Sequence, residues 1–174
     1  ATAQKSSFSR PLLGRYDYLP CELFRINDSN RVTLRDYKKQ IELENTAYAL
    51  RIHEDGLVHP KPGPAFEGPN GASVRSNRPF LQEIVCSFRG RKTVIYRLPE
   101  GMTELILLAI LFTLYQAQKL PSDLVCLQEH TDHHSIHCAV PMSLREFDTQ
   151  ITEFLHKYGE AMTKGEFEER YPFL

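Results

Sequence analysis

Apolar positions recur along this chain with two spacings. In CELFRIN (21–27), Leu23 and Arg25 alternate with Phe24 and Ile26, the period-two pattern of a strand that turns one face to a core. KTVIYRL (92–98) is β-branched and aromatic between turn residues, and LVCLQEH (124–130) and SIHCAV (135–140) read as two more strands. The helical spacing is clearest in SLREFDTQITEFLHKY (143–158). There Leu144, Phe147, Ile151, Phe154, Leu155 and Tyr158 line one face, and Ser143 with Glu146 makes a capping box. A second helix is predicted over 33–51, capped by Thr33 and Asp36, while FLQEIV (80–85) fits a strand or a helix.

Between these elements the pattern breaks. From His53 to Pro79 prolines and glycines are too dense for regular structure to run far, and a long loop of that kind usually has a task. The tail, GEAMTKGEFEERYPFL, loses the helical period and is expected to dock loosely or fray. Residues 105–115, LILLAILFTLY, are almost continuously apolar, yet far short of the roughly 20 positions of a membrane helix. A buried core helix is one reading. The polar flanks RLPEG (97–101) and KLPSDLV (119–125) would join directly if 102–118 were absent, so the other is an insertion, by a retained intron or a lineage-specific event.

Composition narrows the function classes. The chain is long enough for one domain with a real core, and its formal net charge of −1 leaves no global field to draw nucleic acid or anionic lipid, so any anion site is local. Cys21, Cys86, Cys126 and Cys138 form no CxxC pair and are expected to be reduced thiols. The first twenty residues lack the apolar stretch of a secretory signal, which points to a cytoplasmic protein, and the missing initiator Met suggests processing or trimming.

Three places could carry chemistry. In FEGPNGASVRSNRP (66–79), Gly68 and Gly71 permit left-handed backbone and close approach, Asn70 tolerates it, and Ser73, Arg75 and Arg78 could hold a pyrophosphate; a plain surface turn is the alternative. QEHTDHHSIH (128–137) packs four histidines with Glu129 and Asp132 into ten positions. Run as a strand, it puts His133, Ser135 and His137 on one face and His130, Asp132 and His134 on the other. A metal site, a histidine base held by Glu129 or Asp132, and a polar turn with buried histidines are the readings. Arg25, on a core strand, either snorkels to solvent or clamps an anion.

Taken in order, LFRIN, DGLVHPKPGPAFEGPNGASVR, VIYRLPEG, KLPSDLV, EHTDHHSIH and VPMSLREF resemble the Tse-two-type toxin domain, a family named for an antibacterial effector of a type VI secretion system and found in fungal chains too. The resemblance spans about residues 21–158, with 1–20 as a leader, 159–174 as a tail and 102–118 outside it. It implies a compact α+β domain whose sheet is split around an NAD-sized cleft, as in ADP-ribosyltransferase toxins, with peripheral helices.

By that resemblance Arg25 contacts the nicotinamide half or the phosphates of NAD, Ser73 matches the small-hydroxyl strand motif, and His133 with His134 matches a histidine–aromatic pair. Asn70, Gly71 and Arg75 would join Arg25 and Ser73 in holding the cofactor. His134 stands where the pattern has tyrosine, and Glu129 is the candidate substitute for the catalytic glutamate. The implied protein is an NAD-using toxin with a protein acceptor or a cognate antitoxin as partner and no metal. NAD hydrolysis, a binding domain derived from the fold, and a metal-dependent hydrolase on the histidine cluster are the alternatives.

Overall fold

The computed structural model describes residues 10–44, 50–61, 65–66, 71–101 and 120–173. The apolar run at 102–118 and Asn70 lie outside them. Eleven strands and four helices are described. In chain order they are β1 (Arg10–Pro11), β2 (Gly14–Tyr16), β3 (Leu23–Asn27), α1 (Tyr37–Glu42), β4 (Leu57–Val58), β5 (Ala65–Phe66), β6 (Ala72–Arg75), α2 (Pro79–Ser87) and β7 (Val94–Leu98). The second half continues with β8 (Leu124–Gln128), β9 (His133–Cys138), β10 (Met142–Ser143), α3 (Leu144–Tyr158), β11 (Glu160–Met162) and α4 (Lys164–Arg170).

Seven strands form one antiparallel sheet in the order β11-β7-β3-β6-β9-β8-β2, and the short pairs β1–β5 and β4–β10 stand beside it. Its middle is its thinnest point. β3 pairs with β7 over five positions and β6 with β9 over four, but β3 and β6 meet only at Phe24↔Arg75. The sheet is therefore two ladders joined at one register position.

Strand alternation gives each ladder two faces, and each face has its own cover. Leu23, Val74, Tyr96 and Ile136 pack beneath α3 with its Phe147, Ile151, Phe154 and Leu155. Phe24 and Ile95 point the other way, into a smaller cluster with Leu81 and Val85 of α2, Met162 and Phe167. Helix α3 also ties down the chain before α1, because Thr152 Oγ1 accepts from Val32 N at 3.0 Å and Asp148 Oδ1 from Leu34 N at 3.0 Å.

The strands and α3 fall where the hydrophobic pattern put them, and 80–85 is helical, opened by Pro79 at its first turn. Two expectations change. The helix expected over 33–51 is only Tyr37–Glu42, capped by the Asp36 carboxylate. None of its residues is buried, Ile41 and Leu43 stay exposed, and Leu50 bridges Asp36, so this short helix gains little from packing. The tail is docked, not frayed: β11 adds an edge strand to β7, and Thr163 and Glu166 close a reciprocal capping box on α4.

Candidate functional site

Where β3 and β6 part, Arg25 fills the gap. Its Nη1 donates to the Ser73 carbonyl at 2.8 Å and its Nε to Asn27 Oδ1 at 2.9 Å. Burial pushes the guanidinium down to about 10, against the pull of Asp148, which leaves it charged near neutral pH. Arg25 is thus a strut across the split as well as a cation at the cleft, and neither snorkelling nor free anion clamping describes it fully.

The Ser73 side chain takes a different partner. Its Oγ lies 2.8 Å from His133 Nε2, and His133 Nδ1 lies 2.9 Å from Glu129 Oε2. The other Glu129 oxygen accepts the Ser135 hydroxyl in a short bond. The Glu129 side chain is 1% exposed and that of His133 13%, so the carboxylate is shut away and reaches the surface only through the imidazole. With Nδ1–H given to Glu129, Nε2 carries the lone pair and the Ser73 hydroxyl donates to it.

Backbone geometry places these groups. Ser73 pairs with Ser135 and Arg75 with His133 across β6–β9, so all four share one face. Glu129 follows β8 in the β8–β9 turn, where its N–H bonds the His133 carbonyl at 3.0 Å, and this folds its side chain back onto the strand it precedes. Gly71 leads into β6 at φ +108°, and a Cβ there would stand 2.5 Å from the Ile136 carbonyl; only glycine lets β6 start this close to β9.

Arg25, Ser73 and Arg75 line one hollow of about 160 Å³, walled by Phe24, Leu81 and Phe88. Arg75 lies over the Phe80 ring, 4.6 Å from its centroid, with Asp132 at 4.0 Å, and burial lowers its pKa while Asp132 and Glu129 oppose that. Larger hollows near His53 and between Val32 and α3 lie away from the Ser73–His133–Glu129 chain.

His134 does not join this group. It pairs with Val74, so alternation turns it to the face opposite Ser73 and His133, where its Nδ1 is buried without a hydrogen-bond partner. Burial, helped by His133, pushes its pKa down to about 4, and it is a neutral ring in the wall of the fold. His137 is likewise buried and pushed down to about 4, with Nδ1 3.2 Å from the Cys138 carbonyl. Among the described residues no group of three His, Cys, Asp or Glu side chains is placed to hold a metal ion.

Sequence reasoning missed Ser135, which pins Glu129, and Phe80 beneath Arg75. Ser135 was within reach, since the strand reading already set it beside His133. Phe80 gave no signal until α2 was seen to start at Pro79.

The mostly antiparallel sheet, its two ladders joined at one register position, and the four described helices make an α+β domain consistent with the ADP-ribosyltransferase-toxin class. The family model for the Tse2 ADP-ribosyltransferase toxin matches residues 21–167, and the chain belongs to that family. Neither the curated proteins nor the solved structures compared gave a match. Among the described residues no helix is long and apolar enough to cross a membrane.

Proposed function

We propose that the chain cleaves the nicotinamide–ribose bond of NAD in the hollow between β3 and β6 and passes ADP-ribose to an acceptor in a target cell. One observation carries this reading: Arg25, Ser73 and Arg75 come from two strands to line a single hollow, and Ser73 is linked through His133 to a buried carboxylate.

The size suits part of the substrate. A cavity near 150 Å³ with apolar walls takes one six-membered ring, so about 160 Å³ beside Phe24, Leu81 and Phe88 fits nicotinamide and leaves the dinucleotide to lie outside. Arg75, stacked on Phe80 at the same hollow, supplies charge for the pyrophosphate. Bond cleavage builds positive charge on the ribose, which the Glu129 charge favours through His133 and Ser73. Glu129 acts at one remove, being no part of the lining. A toxin of this class calls for an antitoxin partner in the cell that makes it.

Calorimetric titration with NAD, followed by chromatography of the mixture, tests the reading. Binding with release of free nicotinamide is expected. No heat at millimolar NAD together with no nicotinamide would overturn it and favour a domain that binds other partners.

A further inference from the structure

The hydrogen-bond chain Ser73–His133–Glu129 has the parts of an activated nucleophile: a hydroxyl on an imidazole, and the imidazole oriented by a carboxylate. The distances of 2.8 and 2.9 Å are both within hydrogen-bonding reach, and the chain closes on Ser135, which holds the second carboxylate oxygen. A serine that only braced a strand would need no such base. The buried Glu129 carboxylate is aimed at the imidazole, with its other oxygen on Ser135.

We propose that Ser73 is itself the first acceptor of ADP-ribose, so that the enzyme works through a covalent ADP-ribosyl–Ser73 intermediate. This rests on the reading that NAD is cleaved in the hollow. As the bond from ribose C1′ to the nicotinamide nitrogen breaks, its electron pair stays with nicotinamide, which leaves neutral. Ser73 Oγ bonds to C1′ and its proton passes to His133 Nε2. In the second half a water or acceptor hydroxyl attacks C1′, the C1′–Oγ bond breaks, and Oγ recovers its proton from His133. The incoming group's proton goes to solvent. With water, NAD⁺ and H₂O give ADP-ribose, nicotinamide and one proton.

Three features favour this course. Ser73 lines the hollow that nicotinamide would fill, which places it beside the ribose carbon bonded to that ring. Arg25, donating to the Ser73 carbonyl, fixes the backbone that carries the nucleophile. Glu129, hydrogen-bonded to Nδ1, stabilises the imidazolium that forms when His133 takes the proton. Ser73 and His133 are catalytic; Glu129 and Ser135 are positioning residues.

The test uses the full chain. Protein mixed with NAD is quenched in acid, weighed intact by mass spectrometry and mapped by peptide, while nicotinamide is measured in the same samples. Expected is one ADP-ribose on Ser73 in the wild type and none on Ser73→Ala, whose nicotinamide release falls about a hundredfold or more. Glu129→Gln is expected to slow Ser73 modification and move its pH profile. A fluorophosphonate probe, which needs no NAD, should label Ser73 in the wild type and label Glu129→Gln more slowly. Thermal melts confirm that each variant is folded.

If Ser73→Ala releases nicotinamide at the wild-type rate, or ADP-ribose maps elsewhere, the intermediate is wrong and NAD cleavage stands. If the wild type releases no nicotinamide, both readings fall. An unlabelled Ser73 in the probe experiment also overturns the proposal, because the serine is then not activated.

Discussion

The Arg25 guanidinium donates to the Ser73 carbonyl across the junction of the two ladders of the sheet, 2.8 Å from Nη1 to the oxygen. A hydrogen bond from a charged donor is worth about 1.5–3 kcal/mol, and the lone register contact Phe24↔Arg75 offers little else to hold the ladders together. Arg25→Ala is therefore expected to lower stability by about 2 kcal/mol and to weaken NAD binding as well. Urea unfolding beside calorimetric titration measures both. A variant as stable as the wild type would show that the strut contributes nothing. Arg25→Lys keeps the charge but not the fork that reaches Asn27 and Ser73 together, and should recover only part of the loss.

The two buried histidines make the fold sensitive to acid. His134 and His137 have folded values near 4, below the ordinary 6.5, because burial disfavours their charged forms. The unfolded chain thus binds more protons than the folded one between those values. Their contribution is whole above about pH 6.5, declines as pH falls, and is lost by about pH 4, at a cost of roughly 3 kcal/mol for each ring. His134→Leu removes the unpartnered Nδ1 and should flatten this part of the stability profile, read as thermal midpoint against pH. Because His134 lies on the face opposite Ser73, the same variant should keep nicotinamide release. A large loss of release would return His134 to the catalytic group.

What the sequence disclosed follows from the range of each signal. Alternation in CELFRIN and KTVIYRL is local, and so is the apolar face of 143–158; all three became the elements expected. Within the predicted helix over 33–51 the described helix is Tyr37–Glu42, where Ile41 stays exposed, while Leu34 and Leu50 reach the core from outside it, a division that local pattern does not report. At the site, the strand face shared by His133 and Ser135 was legible, and so was the special role of Gly71. The bond between Ser73 and His133 joins positions 60 apart and exists only through the β6–β9 register. The pairing of a histidine with Glu129 was one of the sequence readings, but the burial of Glu129 and its second partner, Ser135, follow only from the folded turn.

The docked tail is open to direct measurement. Phe167 of α4 is fully buried against Phe24 and Tyr171, with ring centroids 5.5 and 5.1 Å away, and Glu160 bonds Arg97 and Arg170 at the edge of the sheet. Truncating a buried phenylalanine costs about 3–5 kcal/mol, so Phe167→Ala should lose that much in urea unfolding. A change under about 0.5 kcal/mol, the usual value for a surface position, would mean that the tail leaves the fold in solution. Phe24 lies on β3 next to Arg25, so the variant should also loosen the strut and reduce NAD binding.

The described residues on either side of 102–118 are held to one stretch of chain. Gly101 N donates to the Leu19 carbonyl at 2.9 Å and Leu120 N to the Asp17 carbonyl at 2.8 Å, so both flanks are fixed to the same short stretch of chain. Gly101 and Leu120 are also both buried, and Leu120 belongs to the core beneath α3. A segment joined at two neighbouring, independently bonded points can be removed without pulling on the strands that follow, since closing a shorter loop costs less entropy than closing a longer one. The chain deleted of 102–118 is expected to be soluble, with the far-ultraviolet circular dichroism of a folded α+β domain, a cooperative melt, and nicotinamide release equal to that of the full chain. An insoluble or non-cooperative product would instead make LILLAILFTLY part of the core, and the insertion reading would be abandoned.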